Sequence, residues 1–190
     1  MIYTIYAALK QRLTTALPEL KETAWDMGQG TTSNKGAIKT LPAVYITFDP
    51  LNTQPLSKGV QMAQISFTVR LVSDVLKDGD NRVLDVSAQS HPTWVQRVYA
   101  ALAGFTATLA DLPGYNGPKP DRVIINTVRR TGIVPDHDNA ALMQTRLKFS
   151  AVAYDFADMK TYVPWSNPIP VALQVDARLA ENVSVILTLT

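Results

Sequence analysis

Two segments alternate apolar and polar residues almost without error, and no other feature limits the fold as strongly. In "QMAQISFTVRLVSDV", residues 61–75, Ala63, Ile65, Phe67, Val69 and Leu71 fall on one side, and Gln64, Ser66, Thr68 and Arg70 on the other. In "LMQTRLKFSAVAYD", residues 142–155, Met143, Thr145, Leu147, Phe149 and Ala151 oppose Gln144, Arg146, Lys148 and Ser150. A period of two sends successive side chains to opposite faces of a sheet. Each segment is therefore a long strand with one apolar face. A sheet covered by helices on both sides would read apolar throughout. Helices in this chain are thus expected on one face only, with the other left to water or a partner.

Two helices are available. Ile2, Ile5, Tyr6, Leu9, Leu13 and Leu17 recur at three- and four-residue steps over residues 2–17, and Pro18 ends the run. Burying each large apolar side chain is worth ~1.5–3 kcal/mol, enough for such a stripe to pin the helix to a sheet. "SHPTWVQRVYAALAGF" gives the second helix, with Trp94, Val95, Val98, Tyr99, Leu102 and Phe105 as its stripe. Ser90 or His91 is placed to cap it and Pro92 to occupy its first turn, where a missing N–H costs nothing.

The remaining segments complete an α+β pattern. Residues 25–41 read as a loop holding three of the nine glycines. "PAVYITF", 42–48, is a β-rich run that leads through a connection at 50–60 into the first long strand. "LKDGDNRVLDVSAQS", 76–90, is a polar excursion that is long for a structureless link. It is either a functional excursion or hides a helical turn around Arg82–Val86. "RVIINTVRRTGIV", 122–134, forms a hairpin with the second long strand across the turn "PDHDNA". Residues 158–190 change character: a Pro-rich linker precedes two alternating runs, "VALQVDARL" and "VSVILTLT", which read as a β-hairpin arm. The expectation is an antiparallel (mixed) β-sheet with two helices packed on one face, in a domain of residues 1–157, plus a C-terminal hairpin extension over 158–190.

Little in the chain points to chemistry. There is no cysteine, which excludes disulfides, thiolate catalysis and Cys-ligated zinc. Lys+Arg is 18 and Asp+Glu is 16, and a net charge of +2 is too small to argue for nucleic acid or an acidic membrane as the main partner. No apolar run is long enough for a helical membrane span. "MIYTIYAALKQRL" reads as a mature helix rather than a secretion signal. His137, between Asp136 and Asp138, fits a solvated turn better than a metal site. "GQGTTSNKG", 28–36, lacks the closing Gly-Lys-Ser/Thr of a phosphate loop. The acids Asp74, Asp78, Asp80 and Asp85 do not follow the spacing of a calcium loop. Arg70, Arg129, Arg130, Arg146 and Lys148 bring positive charge to the sheet, but without the interleaved aromatics that single-stranded nucleic acid requires. No catalytic, metal or cofactor residue is assigned. Charged residues make up 18% of the chain, against the usual ~25%, which points to surface covered by a partner. An ordinary wet sheet face on a compact monomer is the alternative.

The sequence of phrases resembles a family. "IYAALKQRLTTALPELK", a loop, "LPAVYITFDP", a Gly-x-Gln lead into "ISFTVRLVSDV", a helix near 94–105 and a closing strand pair look like the tail terminator (tail completion) proteins of long-tailed bacteriophages. The resemblance spans about residues 1–157 and leaves 158–190 without a counterpart. It implies a non-enzymatic virion subunit, assembled in the host cytoplasm and placed at the head-proximal end of the tail. There a homo-oligomeric ring, expected to be a hexamer, caps the tail tube and meets the head–tail connector. DNA would pass through the lumen without being read. The alternatives are a tail tube or head–tail joining protein and, more distantly, an enzyme or ligand-binding domain. On the ring reading, the interface residues expected are Lys77, Asp80 and Arg82 in the polar excursion, Arg129 and Arg130 on the sheet, and Val183, Val185 and Leu187 in the arm.

Overall fold

The computed structural model describes residues 1–28, 40–57, 59–74, 85–117, 119–136 and 142–156. Helix α1 (Ile2–Ala16) begins the fold and buries Ile5, Leu9 and Leu13, the predicted stripe. Its middle is built from strong helix formers, "AALKQRL". It stops because Pro18 disfavours helical backbone at the preceding residue, and Leu17 sits at φ −134° while donating its N–H to the Leu13 carbonyl.

The strands are β1 (Glu22–Trp25), β2 (Ala43–Phe48), β3 (Asn52–Ser57), β4 (Val60–Asp74), β5 (Ala107–Thr108), β6 (Val123–Asp136) and β7 (Leu142–Asp155). Helix α2 (Asp85–Leu102) lies between β4 and β5, and one 3₁₀ turn (Leu109–Asp111) follows β5. They form one seven-stranded sheet in the order β1-β2-β4-β7-β6-β5. β3 pairs with the first part of β4, and β2 with the later part, from Phe67 to Val72. The sheet is mixed because β1 runs parallel to β2 while the other pairings are antiparallel.

The two alternating segments are the adjacent central strands. Ile65 lies opposite Ala151, Phe67 opposite Phe149 and Val69 opposite Leu147. These apolar positions, with Val44 and Ile46 of β2, share one core with Leu9 and Leu13 of α1 and Val98 and Leu102 of α2. Both helices therefore cover the same face, as the period-two pattern requires. A file of aromatic rings crosses that face. Tyr6 meets Trp25 at 5.3 Å, Trp25 meets Phe48 at 5.3 Å, Phe48 meets Phe67 at 5.9 Å, and Phe67 stacks on Phe149 at 5.4 Å. The helices are joined directly by the Arg12 guanidinium, which donates to the Ala101 carbonyl at 2.8 Å.

Three expectations need correction. β1 falls within and before a stretch read as loop, and β3 lies in what was read as a connection. Both are short edge segments whose pairing depends on β2 and β4 rather than on any pattern of their own. Helix α2 starts at Asp85, so His91 is not a cap and Pro92 is not in the first turn. The helical turn foreseen around 82–86 overlaps the start of α2 at Asp85 and Val86. Third, the helix-free face is not uniformly open. Around β2 it carries a small buried cluster of Ala43, Tyr45 and Val72, backed by Ala24, Leu41 and Leu142. The hairpin arm, the turn with His137 and residues 76–84 of the polar excursion lie outside the described residues.

Candidate functional site

Polar side chains gather in three places. The first is the buried half of the helix-free face. Arg70 projects there from β4 and is only 2% exposed. Its Nε donates to Asp26 Oδ2 at 2.8 Å, and one terminal nitrogen donates to Asp26 Oδ1 at 2.7 Å. The other terminal nitrogen donates to Gln144 Oε1 of β7 at 3.0 Å. The guanidinium lies 5.0 Å from the centre of the Tyr45 ring, and the Tyr45 hydroxyl donates to Glu22 at 3.1 Å. Asp26 also accepts the Gly28 N–H at 2.9 Å. Burial alone would raise the Asp26 pKa. The hydrogen bonds from Arg70 and Gly28 and the Arg70 charge outweigh it, so the carboxyl is held below its usual range. Burial, with the Glu22 carboxylate beside it, pushes the Tyr45 phenol far above its ordinary value. The donors and acceptors are spent on one another, so this cluster joins β1, β2, β4 and β7 rather than presenting a reactive group.

The second place is the contact of α2 with the sheet. The ring of His91, 5% exposed, lies between Ser73 Oγ of β4 (2.7 Å from Nδ1) and Thr145 Oγ1 of β7 (2.8 Å from Nε2). Ser73 and Thr145 are polar positions in otherwise apolar rows, and His91 bridges them. Burial lowers its pKa, favouring the neutral ring. A neutral imidazole bridging two hydroxyls, with nothing else converging, is a latch for the helix.

The third place is open. On the far half of the helix-free face, a groove of ≈ 310 Å³ is lined by Gln64 of β4, Asn126, Thr127 and Arg129 of β6, and Ser150 of β7. A bulge shapes it. Between the pairs Asn126–Val152 and Arg129–Ser150, β6 carries one residue more than β7, and Thr127 there is held at φ +31°. A β-branched residue at positive φ is strained, by about 1–3 kcal/mol. A second register shift follows between Arg130 and Gly132. Arg129 lies opposite Ser150 and lines the groove, whereas Arg130 lies opposite Phe149 on the helix side, its guanidinium 4.1 Å from the Tyr99 ring centre.

The expected interface residues thus divide. Arg129 and Arg130 are adjacent in sequence but serve opposite faces. Lys77, Asp80, Arg82, Val183, Val185 and Leu187 lie outside the described residues. Of the five cations expected on the sheet, Arg70 is neutralised by Asp26, Arg130 is engaged with Tyr99 and Arg146 is half-buried near Asp26, while Arg129 and Lys148 are exposed on the helix-free face. The Arg70–Asp26 pair and the His91 bridge escaped sequence reading because their partners are 44 and 54 residues apart and no motif links them. A lone Arg in a strand and a His beside a helical Pro were the only signals. Among the described residues no group of three or more His, Asp or Glu is placed to hold a metal, and no helix is long and apolar enough to cross a membrane.

No family model matches the sequence, and no curated protein does. Among solved structures, the chain is similar to one from the virion of a native gene transfer agent particle. The match has 15% identity and a TM-score of 0.44, and covers 80% of this chain and 96% of that one. A likeness of this degree does not establish a shared fold.

Proposed function

We propose that this chain is a virion structural subunit that closes into a ring, a hexamer on the family resemblance. The ring caps the tail tube, ends its polymerisation and offers the upper surface to the head–tail connector. The observation that carries the reading is the one-sided layer. Both helices brace one face of the sheet, while half of the other face and the outer edge of β6 are left uncovered among the described residues. A ring requires two different surfaces on each copy that meet when the rotation closes, and a braced sheet with an open face and a free edge supplies them.

The buried polar clusters around Arg70 and His91 hold elements together, and no catalytic step is assigned. The open groove with Arg129 is a surface for protein or for the lumen, not a reaction centre. The test is assembly: electron microscopy of the purified protein for closed rings, then addition of those rings to polymerising tail tubes to see whether growth stops. Open stacks of indefinite length would instead identify a tube subunit. Closed rings that bind only a connector would identify a joining protein.

A further inference from the structure

We propose that residues Val183–Leu189 of one copy add as a strand to the outer edge of β6 in the next copy, a contact that rests on the ring reading above. β5 covers only the start of β6, at Val123 and Ile125. From Arg129 to Asp136, β6 is bonded to β7 alone among the described residues. That stretch carries Ile133 and Val134, which are 48% and 44% exposed. Ile133 lies opposite Leu147 and Val134 opposite Arg146, so the two point to opposite faces and flank the free edge. An uncovered strand with apolar residues on both sides is a template for another strand.

The occupant is argued from its sequence. In "VSVILTL", Val183, Val185, Leu187 and Leu189 alternate with Ser184, Ile186 and Thr188. Set beside β6, the apolar row continues the face of Ile133 and Leu147, and the other row meets the helix-free face. Seven residues of strand span ~24 Å, about the length of the uncovered edge. The edge is selective. Pro135 withholds one N–H, and the bulges at Thr127 and Thr131 break the ladder on the other side. This leaves Gly132–Val134 as the regular section that a partner must match.

On the ring reading a second copy is the partner, and the tether allows it. Pro164, Pro168 and Pro170 bias residues between Asp155 and the run toward extended backbone. At ~3.4 Å per residue, residues 157–170, ahead of the two runs, reach up to ~48 Å.

The absence of cysteine makes trapping clean. Ile133→Cys is combined in turn with Ser184→Cys, Val185→Cys, Ile186→Cys and Leu187→Cys in the full chain, oxidised, and run on non-reducing gels. The mass of the assembly is measured beforehand. The result expected is a ladder of covalently linked copies, strongest at every second arm position. Bridges confined within single copies, or no bridges in an intact ring, overturn the arm contact and leave the ring reading standing. A monomer before oxidation overturns both. Hydrogen exchange gives a second readout without substitutions on β6: slow exchange at residues 132–134 in the full chain, lost on deletion of 183–190. Fast exchange in both overturns the proposal.

Discussion

Substituting Asp26→Ala removes a carboxylate that takes two hydrogen bonds from a guanidinium only 2% exposed. Arg70 keeps the Gln144 oxygen and the Tyr45 ring, but two charge-assisted hydrogen bonds are lost. Breaking a buried pair by removing one member costs about 3–5 kcal/mol. The Asp26 side chain is 16% exposed, so water reaches it in part and the low end, about 3 kcal/mol, is expected. Removing both charges, as Asp26→Ala with Arg70→Met, should cost less than Asp26→Ala alone, because no buried guanidinium is then left without the Asp26 carboxylate. Urea denaturation of the four proteins gives the cycle through midpoint shifts at constant slope. A loss below ~1 kcal/mol for Asp26→Ala, or a double variant at the sum of the singles, would refute the claim that the pair is a buried lock between β1 and β4. The same carboxyl sets an acid limit. Its pKa is lowered on folding, so its stabilisation is complete above the unfolded carboxylate value and is lost as pH falls through the lower folded value. Asp26→Asn should lack that phase of acid unfolding.

His91 has a folded pKa below its unfolded value. Its contribution is therefore present above about pH 6.5 and declines as pH falls from there toward the folded value, by at most about 1.4 kcal/mol per pH unit. Melting between pH 7.5 and 5.5 should show this loss in the native chain and a flatter profile in His91→Gln. Phe149→Ala, at the end of the aromatic file, should cost about 3–5 kcal/mol by denaturant titration. Arg129→Ala should leave stability within about 0.5 kcal/mol, while Arg130→Ala, which loses the Tyr99 stack, should cost about 0.5–1 kcal/mol. Equal costs would contradict their assignment to opposite faces.

The core was legible because it rests on period. The rows Ala63–Leu71 and Met143–Ala151 named the helix face, and the stripe Ile5–Leu9–Leu13 named what lies on it. What could not be read depends on distant partners. β1 is four residues without alternation and exists through its ladder with β2. Helix α2 begins six residues before His91, in a polar stretch with a weak stripe, which turned a buried bridge into an expected cap. The polar face looked uniform in sequence. Asp26 and Gln144, brought to Arg70 only by folding, bury one half of it. Ordinary alternation sends the neighbouring Arg129 and Arg130 to opposite faces, and the bulge before them, which no sequence pattern announces, sets which of the two meets the helices.

Closure of copies into a ring is read most directly from the mass of the purified chain by native mass spectrometry or light scattering over a range of concentrations. A single species at a fixed whole multiple of the subunit, six for the proposed ring, is the predicted result, with ring-shaped particles of that mass. A monomer at every concentration, or assemblies that lengthen without limit, would contradict it.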